Sequence, residues 1–189
     1  MEGVLVPEIW IEVAKKTKIA DLRLTTRDIS DYDVLMKRRL ATLKKYSIHL
    51  KDIQKVIQAM KPLPGAKTFL DKLRAEHQVI ILSDTFYEFA LPLMQKLGNP
   101  VLFCNRLSVD KKGFISGYQL RQKNGKAKAV QALQRAGFKV IAAGDSYNDV
   151  TMLKAAEKGV FFNPPPKIAK QFPQFKITRN YSALLKALI

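Results

Sequence analysis

The sequence predicts an α/β fold: a parallel sheet with helices on both faces, plus a small helical cap. Three observations carry this. Short continuous apolar runs alternate with helical stretches after residue 64, the pattern of βα units. Residues 19–61 hold no strand signal and read as helix alone. Two apolar runs end in polar clusters, Ser83-Asp84-Thr85 and Gly144-Asp145-Ser146-Tyr147-Asn148-Asp149. Runs apolar on both faces belong inside a parallel sheet, and ligands bind beyond the carboxyl ends of such strands.

The elements follow in order. Pro7 suits a first helical position and Glu8 a first turn, and Ile9, Val13 and Ala14 give that helix an apolar stripe. Ser30 or Asp31 caps a helix reaching about residue 46, and a second covers 50–60. Pro62 and Pro64 close this helical region. A helix spans 66–76, with Phe69, Leu70 and Leu73 inward. The run 79–82 is a strand, 87–97 a helix stopped by Gly98, and 101–103 a strand. Asp110, Gly113 and Gly117 between apolar residues mark a hairpin over 106–121. A helix over 126–136 stops at Gly137, and 140–143 is a strand. A helix over 149–158 is expected to stop at Gly159, before a strand at 160–162. Pro164-Pro165-Pro166 reads as a turn and 181–188 as a last helix. The expected division is a core of residues 1–17 and 62–189, with 18–61 as the cap.

Composition narrows the function. The chain has 189 residues, 47% apolar and 26% charged, which excludes disorder and low complexity. One cysteine, Cys104, excludes an intrachain disulfide framework, and two distant histidines exclude a Cys/His zinc site. No apolar run approaches the ~18 residues of a membrane span, and the start lacks a signal-peptide pattern. The cytoplasm is the expected compartment. The net charge is +17. It forms no block of like charges and accompanies no nucleic-acid-binding motif, so a field that attracts a small anionic substrate is preferred to nucleic acid.

Five residue groups can carry chemistry. Asp145 stands at a strand end, with Asn148 and Asp149 within a turn, an arrangement suited to a hard cation such as Mg²⁺. Capping by Asp149 is the structural alternative. Ser83, followed by backbone N–H groups, can hold phosphate oxygens or merely cap a helix. Lys126 opens a helix within residues 120–139, which hold six basic groups and no acid; Lys123 and Lys128 compete with it for contact with an anion. Arg39 falls in the middle of the apolar stripe of Tyr32, Leu35, Met36, Leu40 and Leu43. A buried arginine needs an anionic partner, either an internal Asp/Glu or a ligand carboxylate held by its bidentate fork. Glu2 and Glu8 bracket the first turn, where Glu8 can simply complement the helix dipole.

The order of these clusters resembles the haloacid dehalogenase-like phosphatases, specifically the phosphoserine phosphatase branch and its bifunctional members that also transfer phosphate from phosphoserine to homoserine. Residues 2–8 resemble the tail of the first motif, Asp-x-Asp/Glu-Gly. Ser83-Asp84-Thr85 resembles the second, Lys126 falls at the third-motif lysine, and residues 144–149 resemble the fourth. The likeness covers nearly the whole chain. It implies a Rossmann-like core, Mg²⁺ and an aspartyl-phosphate intermediate, with water or homoserine as acceptor. It gives Glu2 the acid/base role and a backbone contact to the metal. Asp145 becomes a direct metal ligand, and Asp149 orients the metal shell. Ser83, Asp84 through its backbone, and Lys126 hold the phosphoryl group, with Asn148 on the substrate side. Glu8 meets the serine ammonium and Arg39 its carboxylate. The nucleophilic aspartate belongs two residues before Glu2, where this sequence has no residue. The resemblance places it, with the first strand of the sheet, on the amino side of Met1. The competing readings are an inactive truncated chain serving as a basic binding module, and a phosphatase for another small ester.

Overall fold

The structure is a computed structural model. It describes every residue except Thr26, Arg27 and Ser30, so the expected cap at Ser30 lies outside the described residues. Helix α1 (Ile9–Thr17) buries Ile9, Trp10, Val13 and Ala14. It begins two residues after Pro7, with Glu8 in extended backbone at its N-cap. A 3₁₀ turn at Ala20–Arg23 follows. Helix α2 (Tyr32–Lys45) is capped by Asp31, whose side chain accepts the Val34 N–H at 3.0 Å. Helix α3 (Leu50–Ala59) packs on α1 and on α5 (Tyr87–Lys96). The expectation of helix throughout 19–61 therefore fails at Leu24, Thr25, Asp28 and Ile29, where polar residues compete locally with the helical backbone: Asp28 accepts the Thr25 N–H at 2.8 Å.

Helix α4 (Ala66–Glu76) leads into β1 (Ile80–Phe86), which continues through the Ser83-Asp84-Thr85 cluster. Strand β2 (Val101–Val109) pairs with β1 in parallel and with β3 (Ile115–Gln119) antiparallel, giving the expected hairpin. Helix α6 (Gly125–Arg135) precedes β4 (Ile141–Gly144). A 3₁₀ turn (Tyr147–Asp149) opens helix α7 (Val150–Ala155), and β5 (Lys158–Phe162) follows. Gly159 thus lies inside a strand and stops no helix. Its reason is contact: a Cβ there would stand 2.7 Å from the Leu153 carbonyl oxygen. After the proline run, helix α8 (Pro166–Gln171) and strand β6 (Lys176–Thr178) replace the expected plain turn, and α9 (Tyr181–Leu188) closes the chain. Pro166 at the start of α8 explains the helix, since its missing N–H costs nothing there.

The strands form two three-stranded groups, β1-β2-β3 and β4-β5-β6, the second wholly parallel. Helices cover both faces of the second. Phe161 packs with residues of α6 and α7, while its neighbours Val160 and Phe162 join α4 and α9 on the other side. Between β1 and β4 lies a cavity of about 450 Å³, lined mostly by apolar side chains and reached by Met1. Among the described residues no helix is long and apolar enough to cross a membrane.

Candidate active site

Both polar clusters meet at the carboxyl ends of β1 and β4. Lys126, the second residue of α6, joins them. Its Nζ lies 2.9 Å from Asp84 Oδ2 and 2.8 Å from Asp149 Oδ1. Only 12% of its side chain is exposed, whereas Lys123 and Lys128 face solvent. Of the three lysines, Lys126 is the one that the described ion pairs bring to these carboxylates. Burial opposes the Lys126 charge, but Asp149 and then Asp84 outweigh it and raise its pKa above the ordinary lysine value.

Asp149 takes the structural role that the sequence offered and adds one that it did not, a pairing with Lys126. Its Oδ2 accepts the N–H of Asp145 at 3.0 Å and that of Ser146 at 3.1 Å, locking the turn. Its Oδ1 holds Lys126. Burial works against its charge, yet Lys126 and these donors keep its pKa below the usual carboxylate value. Gly144 is required here, because a Cβ would collide with the Asp149 side chain. Asp145 differs. Burial, then the Asp149 charge, pushes its pKa up to about 6. The backbone of Gly3, at φ 73°, packs directly on this carboxyl, leaving no room for a Cβ.

Glu2 reaches the same place from the other end of the chain. Its Oε2 accepts the Ile9 N–H at 2.9 Å, so Glu2, and not Glu8, caps the first turn of α1. Burial raises its pKa, against the Ile9 N–H and a hydrogen bond from Thr85. Glu8 lies close enough to Glu2, Arg39 and Asp145 to perturb each. The Ser83 hydroxyl accepts the Thr85 N–H at 3.2 Å. Asn148 is exposed, on the 3₁₀ turn.

Arg39 is 6% exposed on the inner face of α2. Its Nη2 donates to the Leu24 carbonyl at 2.7 Å, and its guanidinium lies 4.5 Å over the Trp10 ring. Nε is buried and has no hydrogen-bond partner. Among the described residues Arg39 makes no ion pair. Burial lowers its pKa to about 10, and the charges of Tyr32, Glu2 and Glu8 only partly offset that. Of the two partners the sequence left open, the internal acid is absent from the described ion pairs.

The contacts of four residues in this region escaped the sequence reading, which named Thr85 and Tyr32 only as members of the second cluster and of the Arg39 stripe. Trp10 supplies the ring beneath Arg39. Thr85 contacts Glu2. Asn105 ties the Ser83 cluster to the segment after β3, donating to the Asp84 carbonyl at 3.0 Å and accepting the Arg121 N–H at 3.0 Å. The Tyr32 hydroxyl donates to the same Asp84 carbonyl at 3.4 Å, tying α2 to β1. Only a lone tryptophan and an asparagine at the end of an apolar run hinted at them. Beside Lys126, Ser83 and Asn105 the cavity is about 10 Å³, the room of roughly one water. The ion-paired Lys126 and Asp84 both line it.

The site thus has hard oxygen donors and buried cations. Among the described residues no three His, Cys, Asp or Glu side chains gather as a metal-binding group. The free-standing donor is Asp145, a carboxylate that burial and Asp149 make costly to ionise without a cation beside it.

Comparison with known proteins agrees with this arrangement. A phosphoserine phosphatase of Pseudomonas syringae pv. tomato is 53% identical over 189 residues, all of this chain and 80% of that protein. The phosphoserine phosphatase ThrH of Pseudomonas aeruginosa is 52% identical over 189 residues, all of this chain and 92% of that protein. Among solved structures, an apo phosphoserine phosphatase superposes with a TM-score of 0.79 at 23% identity, covering 100% of this chain and 96% of that one, which supports the fold. The family model of haloacid dehalogenase-like hydrolases matches residues 7–157. With strand-end carboxylates bridged by the buried Lys126 on this sheet, the chain belongs to the haloacid dehalogenase-like hydrolases.

Proposed function

We propose that the protein is a Mg²⁺-dependent phosphoserine phosphatase that works through an aspartyl-phosphate, with homoserine as a second acceptor beside water. The observation that carries the substrate is Arg39: a buried guanidinium with an unpartnered Nε and no ion pair among the described residues. A ligand carboxylate would supply the missing anion, and Glu8 would face the ligand ammonium. Two relatives more than half identical over this whole chain bear the name phosphoserine phosphatase, which favours the same substrate.

In this reading Ser83, the Asp84 backbone and Lys126 hold the phosphoryl group, and Lys126 exchanges Asp84 for phosphate oxygens. The oxygen-only donors fit a hard cation, with Asp145 and the Glu2 carbonyl as ligands and Asp149 as orienter. Mg²⁺ there would neutralise developing phosphoryl charge. The nucleophilic carboxylate belongs directly before Met1, beside Glu2. It attacks phosphorus, the P–O bond to serine breaks, and Glu2 gives its proton to the serine oxygen. The raised pKa of Glu2 suits an acid of this kind. Glu2 then takes a proton from the acceptor as its oxygen attacks phosphorus and frees the carboxylate. Residues 18–61 form the cap, which the Tyr32 contact to Asp84 ties to β1; closure of a cap of this kind would exclude water from the site.

The test is binding of phosphoserine and phosphoethanolamine, which lacks the carboxylate, to the 189-residue chain with Mg²⁺. Phosphoserine is expected to bind at least ~10-fold tighter, a difference of about 1.4 kcal/mol. Arg39→Met is expected to abolish that preference. Equal affinity in the unaltered chain would remove the reading. Turnover is expected only when an aspartate precedes Met1; robust hydrolysis by the 189-residue chain would refute that assignment of the nucleophile.

A further inference from the structure

Helix α2 carries Arg39, so whatever holds α2 decides where the guanidinium points. The helix packs chiefly on the 3₁₀ turn at Ala20–Arg23 and on β3. An exposed ion pair, Arg38 with Asp21 at 2.9 Å, ties it to the turn. The contact with β3 is made by Tyr118. This residue stands opposite Leu107 of β2, whose N–H donates to the Glu88 carboxylate of α5 at 2.9 Å. The hairpin is thereby anchored to the core at the register that carries Tyr118. The Tyr118 ring meets Phe86 at the end of β1, with centroids 6.1 Å apart, and stands edge-on to Tyr32 at 5.8 Å. Its hydroxyl donates to the Asp33 carboxylate in the first turn of α2. Burial and then Asp33 push its pKa up to about 12, so it stays a donor across the neutral range. The tip of the same hairpin grips α3: the Gly113 carbonyl accepts the Leu50 N–H at 3.0 Å, and the Phe114 ring stacks on His49 at 4.0 Å.

Arg39 follows Tyr32 by about two turns on the same face of α2. A helix is stiff over that length, so fixing its first turn fixes the guanidinium. The Tyr32 hydroxyl reaches the Asp84 carbonyl only at 3.4 Å, a weak bond that needs support. Tyr118 supplies it from the other side of the Tyr32 ring. We propose that Tyr118 is a positioning residue: its bond to Asp33 and its ring against Tyr32 hold the amino end of α2 beside β1, and so set where the unpartnered Nε of Arg39 meets the ligand carboxylate. The identity of that ligand rests on the proposed function, and the placement of Arg39 does not. Asp33 is exposed, so solvent screens the bond and its removal costs the fold little. The effect falls on the site.

The test is titration calorimetry on the 189-residue chain with Mg²⁺, using phosphoserine, phosphoethanolamine and inorganic phosphate. Tyr118→Phe keeps the ring and removes the hydroxyl. Asp33→Ala removes the acceptor, and Asp33→Asn keeps an acceptor oxygen. Each of the first two is expected to weaken phosphoserine about 5-fold and to leave the other two ligands within about twofold. The double variant Y118F/D33A is expected to bind no more weakly than the weaker single variant, and Asp33→Asn to keep most of the affinity. Full phosphoserine affinity in Tyr118→Phe overturns the proposal. So does an equal loss for all three ligands, which marks general loosening, and so does a double loss equal to the product of the single ones. Trp10, the only tryptophan of the chain, gives a readout without ligand. The Arg39 guanidinium lies over its ring, so a displaced Arg39 shifts its emission. Tyr118→Phe is expected to shift that emission, and to shift nothing in the Arg39→Met background. An unshifted spectrum overturns the positioning. If the unaltered chain holds phosphoserine and phosphoethanolamine equally, the proposed function falls, and a shifted spectrum still upholds the positioning of Arg39.

Discussion

Lys126 and Arg39 are both buried cations, and their surroundings are opposite. Lys126 touches two carboxylates, and its pKa is raised. Arg39 has a backbone carbonyl, an aromatic face and an unpartnered Nε, and its pKa is lowered to about 10. The first cation is neutralised by the fold itself. The second is left with its desolvation cost standing. A fold keeps such a group only where something else meets it, so Arg39 marks the side of the site that waits for an anion, and Lys126 the side already organised.

Substitutions can break or sharpen this contrast. The largest loss is expected for Lys126→Met, which strands Asp149 in a buried site. Stability should fall by about 3 kcal/mol, read as a lower urea midpoint. Asp84 is 46% exposed and adds little, because solvent screens it. Next, Trp10→Leu removes the ring beneath Arg39 and leaves space against Phe89, whose ring lies 5.4 Å away. A loss of about 2 kcal/mol is expected, together with weaker phosphoserine binding in titration calorimetry.

Asp145→Asn tests the third charge. The folded pKa of Asp145, about 6, lies above the ordinary 3.8, so its ionisation opposes folding. That penalty is absent below the unfolded value and complete above about pH 6. Without metal, the asparagine variant should gain about 1 kcal/mol at pH 7.5 and nothing at pH 3. A thermal melt at each pH decides it. The smallest stability effect is expected for Arg39→Met, between no change and a gain of about 1 kcal/mol. If it costs as much as Lys126→Met, then Arg39 is internally compensated and the contrast collapses.

Much of this site was legible along the chain. Asp145, Asp149 and Lys126 were visible because strand ends and helix starts are local features, and local features are written in adjacent residues. Arg39 was visible because one charged residue in an apolar stripe violates helical periodicity. Trp10, Thr85 and Asn105 were not, because their roles depend on residues 29, 83 and 16 positions away or more, such as Trp10 beneath Arg39 and Asn105 against Arg121. The helix at Pro166–Gln171 and the strand at Lys176–Thr178 were also missed. Both are short, and β6 exists by pairing with β5, which no local signal announces.

By itself the sequence determined the alternation of strands and helices, the two polar clusters at strand ends and the positive field. These follow from periodicity and from composition, which a linear chain carries whole. The tertiary structure alone decided which of three lysines meets the carboxylates and that Arg39 lacks an ion pair among the described residues. It also left the facing edges of β1 and β4 around a shared cavity. Those outcomes depend on distances between residues far apart in the chain, and distances are set only when the helices pack.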